Sequence, residues 1–179
     1  IRRQRQMCIR DRQERAVNYL SEFQKEGKLY RQDNIYSENA IINHILNRKI
    51  EYCNNNGLSI KCMVCGELKG VSDYDIHIIL ENLLDNAIEA ALKAVNKRIS
   101  VDIYSDEQAM VIKISNTTEE NVLKNNPEMN TTKKDNSYHG YGIKNVSELV
   151  KKNNGTIEYI QLGVDIVQCR VLLLSLIHI

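Results

Sequence analysis

The chain has no apolar run near the roughly 20 residues that a membrane-spanning helix needs, so no membrane contact is expected from it. Internal repeats and low-complexity tracts are absent as well, which sets aside solenoid and linker-like organisation. Metal chemistry through thiols is poorly served. Cys62 and Cys65 have the spacing of a zinc or redox pair, but no second pair and no neighbouring His completes a site. They also fall in an alternating stretch (Leu58, Ile60, Cys62, Val64), which puts the two thiols on opposite faces of a strand. Free thiols without a signal peptide suit a reducing cytoplasm. Proline occurs once, at Pro127 inside a polar stretch, so no periodic segment is broken by one.

An excess of positive charge is missing too, once the two ends are considered. Met7 to Arg12 and Leu174 to Ile179 are unrelated as peptides but related as DNA. The second can be encoded by CTGTCTCTTATACACATC. The reverse complement, read from its second base, encodes Met-Cys-Ile-Arg-Asp and the start of an Arg codon. Such a pair resembles an inverted transposon end used in sequencing-library preparation, and Ile1 to Gln6 continues it. Residues 1–12 and 174–179 are therefore expected to be non-native tails and are set aside. A basic arm for nucleic acid is the other reading of the first twelve residues. These hold five Arg and one Asp, and the last six hold no Lys, Arg, Asp or Glu. Without them Lys+Arg falls from 24 to 19 and Asp+Glu from 23 to 22, so the net charge moves from +1 to −3. No nucleic-acid partner is expected. About 160 residues remain, enough for one domain and a short attachment.

Residues 14–26 place Ala16, Val17, Leu20 and Phe23 at helical spacing, and Gly27 breaks the pattern. Ser37 is expected to cap a second helix over 38–53, where Ile41, Ile42, Ile45, Leu46 and Ile50 recur at three- and four-residue steps. Asn54 to Gly57 ends it, and a strand follows at 58–65. The strongest helix is expected over 73–96, started by Ser72 or Asp73, with a broad apolar face from Ile76 to Ala91. Residues 99–104 and 109–115 alternate as a hairpin around Ser105 to Gln108. The polar stretch 116–138 reads as a long functional loop. A helix then starts in His139 to Ile143 and runs to Asn153, and a last hairpin, 156–161 and 165–173, turns at Gly163. The order predicts an α+β fold, a two-layer sandwich in which a mixed sheet carries helices on one face. Residues 13–56 form a helical attachment and 57–173 the domain.

Two constellations carry chemistry. Asn82 and Asn86 lie four apart, so their carboxamides share one face of the long helix. Amide oxygens there can help hold a hydrated Mg²⁺, which prefers oxygen ligands and keeps several waters while bridging phosphates. A solvated helix surface is the alternative. The second constellation is His139-Gly140-Tyr141-Gly142 before a helix. Glycines let a backbone approach a phosphate and adopt positive φ, and the N–H groups of the helix end face the anion. An ordinary loop-to-helix turn would look the same.

Taken in order, the Asn-bearing helix Ile79 to Ala90 (ILENLLDNAIEA), the hairpin ending Ile114-Ser115-Asn116, the loop with Thr131 to Lys134, and HGYGIKNV resemble the GHKL ATP-binding superfamily. More narrowly the chain resembles the sensor histidine kinases of Gram-positive peptide quorum sensing, the AgrC-like subfamily, and Ala40 to Lys49 is similar to the helix preceding their ATP-binding domain. The resemblance covers Gln13 to Leu173. It implies a Bergerat-type sheet, ATP and Mg²⁺ as cofactors, and transfer of a phosphoryl group within a two-component signalling system. Asn86 would be the magnesium-linked residue and Asn82 would face the phosphates. Thr132 and Lys133 would approach from a lid, His139 would help order it, and Gly140 and Gly142 would form its hinge and phosphate-facing turn. Where hydrolytic relatives carry a Glu that activates water, Asn82 is an amide and cannot act as a base, while Glu81 points about 100° away; transfer to a positioned acceptor is favoured over hydrolysis. The superfamily's Asp-x-Gly-x-Gly after the strand is replaced by Asn116-Thr117-Thr118-Glu119-Glu120. Asn116 keeps a carbonyl oxygen able to accept from the adenine amino group.

None of His44, His77 and His139 has the surroundings of the family's acceptor His, which is expected upstream of Gln13. The helices at 14–26 and 38–53 would then be the remnant of a dimerisation region, with apolar stripes that seek a partner helix. The implied partners are a second copy and a response regulator. The implied setting is the cytoplasmic portion of a membrane-bound sensor in a Gram-positive bacterium. Two alternatives stay open: a Ser kinase of the anti-sigma type, and a degenerate scaffold that binds no nucleotide.

Overall fold

The computed structural model describes residues 37–66, 70–119, 121, 124 and 142–175. Helix α1 is Ala40–Asn55. Its cap is Asn39, whose side chain accepts from the Ile42 N–H at 2.9 Å, and not Ser37 as expected. Asn caps as well as Ser and here stands next to the apolar repeat. Ser37 lies earlier and donates its backbone N–H and hydroxyl to Asn43 Oδ1. Past the helix end Gly57 takes a φ of +69°, which turns the chain into strand β1, Ser59–Cys65.

Helix α2, Asp73–Lys93, starts where Ser72 Oγ accepts from the Asp75 N–H. Acids in its first turn and Lys93 in its last suit the helix dipole. It stops three residues before the expected end, where the Ala94 cap turns extended, and Val95 beyond it is 95 % exposed. Strands β2 (Arg98–Ser105) and β3 (Ala109–Thr117) form a hairpin whose turn is held by Asp106 Oδ1, which accepts from the N–H groups of Gln108 and Ala109. Helix α3 is Gly142–Lys152, and strands β4 (Thr156–Gln161) and β5 (Ile166–Leu174) close the domain around Gly163.

The sheet order is β1-β2-β3-β5-β4. β1 and β2 are parallel and need the α2 crossover between them, while the other pairs are antiparallel. Alternate residues of the central strands (Val101, Ile103, Ile112, Ile114, Val171) face the helices in one core with Ile45, Leu46, Ile79, Leu84 and Val146. The opposite face carries a smaller cluster of Val111 and Leu172, beside a charged row in which Asp102, Lys113, Arg170 and Glu158 lie in register across four strands. This is the expected two-layer α+β sandwich, with a mixed sheet and helices on one face.

Two strands outrun the apolar alternation. β3 continues through Asn116 and Thr117, which are buried although polar, because β5 pairs with both and β2 with Asn116. β5 continues to Leu174, one residue into the stretch read as a tail, where it pairs with Ala109. Cys62 lies in the helix-side core, and burial pushes its thiol up to about 12. The helix expected at 14–26 lies outside the described residues.

Candidate functional site

The border of α2's apolar face decides what the site is made of. Leu83, Leu84 and Ala87 are buried, so Asn82 and Asn86 emerge half-buried where the helix leaves the core. Asn86 lines a narrow cavity of about 80 Å³ between α2 and the sheet, together with Leu83, Ala87 and Ala90 of α2, Ile114 and Asn116 of β3, Thr118, Ile143 of α3, Tyr159 of β4, and Val167 and Cys169 of β5. Carbon dominates that lining, which suits a flat ring better than a chain of charged groups. The Asn86 carboxamide makes no hydrogen bond to another described residue.

Asn116 reaches the same cavity because the extra length of β3 carries it onto the helix-side face, opposite Ile99 on one strand and Val167 on the other. Its Nδ2 donates to the Thr117 carbonyl at 3.0 Å, which orients the carboxamide and leaves Oδ1 without a donor among the described residues. An amino group on a bound ring would supply that donor.

Asn82 sits one turn before Asn86 and is oriented by its own helix, Nδ2 donating to the Ile78 carbonyl at 2.7 Å. Its Oδ1 points at the start of α3, where a Cβ on Gly142 would come within 2.7 Å of it. The expectation of positive φ does not hold at Gly142. It is the first residue of a helix, and among the described glycines positive φ falls at Gly57, Gly66, Gly70 and Gly163. What Gly142 supplies is room for Asn82 beside the unpaired N–H groups of a helix start.

Glu81 turns to the other side of α2. It is paired with Arg48 and, at 2.8 Å, with Lys49 of α1. Burial alone would raise its carboxyl, but hydrogen bonds from Lys49 and Arg48 outweigh that and hold it below the usual glutamate range. Among the described residues no group of three His, Cys, Asp or Glu could hold a metal ion. The oxygens of Asn82 and Asn86 are hard donors that suit Mg²⁺, but they are neutral, so phosphates would have to supply the charge that holds it. The cavity, about 80 Å³ with walls mostly of carbon, would admit a flat ring only edge-first, and it opens past Asn86.

Of the residues singled out from sequence, Asn86 and Asn116 thus share one cavity and Asn82 meets Gly142. Thr132, Lys133, His139 and Gly140 lie outside the described residues. Sequence reasoning missed Thr118, Tyr159 and Cys169. The last two were within reach, because strand alternation puts Tyr159 on the same face as Ile157 and pairs it with Cys169. Burial drives both groups up, the thiol to about 12, so they present a neutral wall.

A family model described as the GHKL domain matches residues 71–172. No curated protein sequence matches the chain. Several solved structures do. The histidine kinase AdeS of Acinetobacter baumannii superposes with a TM-score of 0.55 at 15% identity, over 76% of this chain and 64% of that one. The catalytic domain of histidine kinase ThkA, in a nucleotide-free form, gives 0.62 at 15% over 80% of this chain and 97% of its own. The mycobacterial sensor histidine kinase MprB gives 0.57 at 14% over 74% and 95%. At these identities the likeness is one of fold, and the chain spans under two thirds of the AdeS structure's length.

Proposed function

Because the chain belongs to the GHKL domain family, we propose that it is the ATP-binding catalytic domain of a sensor histidine kinase, delivering the ATP γ-phosphoryl group to a His that lies upstream of Gln13. One observation carries the reading: Asn86 and Asn116, from two different elements, line one narrow cavity, and the Asn116 oxygen has no donor among the described residues because its Nδ2 is the end that is bonded. Asn116 would accept from the adenine amino group. Asn86 would hold Mg²⁺ through its amide oxygen, with Asn82 and Gly142 beside the phosphates. Thr132, Lys133, His139 and Gly140 would complete the site as a lid.

Transfer is favoured over hydrolysis by what surrounds the phosphate path. Asn82 cannot take a proton from water, and Glu81, the neighbouring carboxylate, is engaged with Arg48 and Lys49. Phosphoryl transfer needs chiefly position and charge neutralisation, and this site offers both. The quorum-sensing subfamily, a homodimer through the N-terminal helices, a response regulator as partner and a cytoplasmic site of action belong to the same proposal. It rests for these on the order of the motifs from Ala40 to Val146.

The missing glycines after β3 favour one rival, a scaffold that binds no nucleotide. Calorimetric titration of the chain with ADP and Mg²⁺, beside Asn86→Ala, separates the two. Saturable binding weakened at least about tenfold by the substitution is expected, since a charge-assisted contact contributes about 1.5–3 kcal/mol. No binding by folded wild-type protein would establish the scaffold instead.

A further inference from the structure

A lysine on α1 is buried against the side of α2 that faces away from the two amides. Lys49 has only 8% of its side chain exposed, and its Nζ lies 2.8 Å from Glu81 Oε2 and 2.5 Å from Asp85 Oδ1. Glu81 and Asp85 are one turn apart on α2, and each immediately precedes a site residue, Asn82 and Asn86. A single cation therefore grips α2 at the two levels where its amides emerge. Arg48 adds a second hold on Glu81.

Stability does not explain the choice of residue. A buried ion pair replaced as a whole by apolar side chains of similar volume is often matched or improved on, because desolvation offsets the attraction. Leu or Met at position 49 would join Ile45, Leu46 and Ile50, which already pack there. What a cation adds is direction. Greasy contacts let two helices slide or roll by small amounts, whereas a two-pronged charged contact fixes one setting.

We infer that Lys49 is a positioning residue for the nucleotide site: through Glu81 and Asp85 it sets the rotation and axial level of α2, and so the place of Asn82 and Asn86. The inference rests on the nucleotide reading above. Successive residues of a helix are fixed about 100° apart around its axis, so a small roll of α2 that slackens the contacts of Glu81 and Asp85 swings Asn82 and Asn86 with them. Asn82 is the more sensitive of the two, since its oxygen already lies against Gly142.

The test is a double-mutant cycle read by nucleotide titration of the full chain, with Lys49→Met, Asp85→Asn and the two combined. Lys49→Met is expected to weaken ADP–Mg²⁺ binding about fivefold, beyond the lower thermal midpoint that loss of a buried cation brings by itself. Asp85→Asn should act in the same direction, and the combination should be no worse than Lys49→Met alone. Asp85 is 63% exposed in its side chain, so that variant stays folded even where Lys49→Met does not. The side-chain amide resonances of Asn82 and Asn86 should also move in Lys49→Met before any nucleotide is added. A lower midpoint with unchanged affinity and unchanged resonances would overturn the inference and leave Lys49 a structural residue. Absence of binding by the folded wild type would instead remove the nucleotide reading, and the inference with it.

Discussion

Gly142 is the residue at which space, more than backbone freedom, decides function. It opens α3 with ordinary helical geometry, and a methyl group there would stand 2.7 Å from Asn82 Oδ1, inside van der Waals contact. The obstacle is the tip of a short side chain, so relief comes by rotating the Asn82 carboxamide and giving up its 2.7 Å bond to the Ile78 carbonyl. Ala also has the better helix propensity, by roughly 0.5–1 kcal/mol. Gly142→Ala should therefore leave the thermal midpoint within a few degrees while nucleotide affinity falls several-fold. A midpoint loss with unchanged affinity, measured by melting and titration on the same sample, would show that Asn82 does not face the ligand. The sequence pointed to this glycine through its place before a helix, but it could not say that the contact was Asn82, sixty residues earlier. The amides at 82 and 86 were legible for a simpler reason: four-residue spacing on a strongly periodic helix fixes a shared face.

At the scale of elements, α2 is held by charge at two points. In the middle, Lys49 and Arg48 of α1 grip Glu81 and Asp85, partners up to 36 residues away in sequence. At its start, the buried Asp75 accepts from Lys152 Nζ at 3.0 Å and from Asn153 Nδ2 at 2.9 Å, across 77 and 78 residues. Neither cluster could be read from periodicity, which reports which face a residue takes and not which helix lies opposite. The same limit hid the end of β3. Apolar alternation stops at Ile114, yet pairing with β5 carries the strand to Thr117 and brings Asn116 into the cavity. The Asp75 cluster has a pH signature. Burial alone would raise the Asp75 carboxyl, but hydrogen bonds from Asn153 and Lys152 outweigh it and hold the folded value below the unfolded one. Its contribution is thus complete above the unfolded value, about pH 4, and is lost as the pH falls through the lower folded value. Thermal midpoints measured from about pH 6 down to about pH 2 should drop more steeply for wild type than for Asp75→Asn below about pH 4. At neutral pH the variant should be less stable by about 1–2 kcal/mol. Parallel curves would mean that the cluster contributes no stability through ionisation.

For the molecule as a whole, the sheet and the α2 crossover build the cavity proposed for the base, and the proposed phosphate path has no base catalyst among the described residues. Asn82 is an amide, and both carboxylates nearest to it on α2 are held by α1. The histidines of the described part, His44 and His77, are exposed on the outer surfaces of α1 and α2 and do not line the cavity. On the proposed function, the domain binds nucleotide and depends on an acceptor brought within reach by another segment. Incubated with γ-labelled ATP and Mg²⁺, the chain should therefore release almost no phosphate and form no acid-labile phosphohistidine. Added to a longer form of the protein whose own nucleotide site is disabled by Asn86→Ala but whose upstream helices are intact, it should label that form in trans. Labelling of the short chain itself, lost on replacing His44 or His77, would place the acceptor inside it. Steady phosphate release without labelling would mean that a base reaches the γ-phosphate from residues beyond those described, and that hydrolysis, not transfer, is this domain's chemistry.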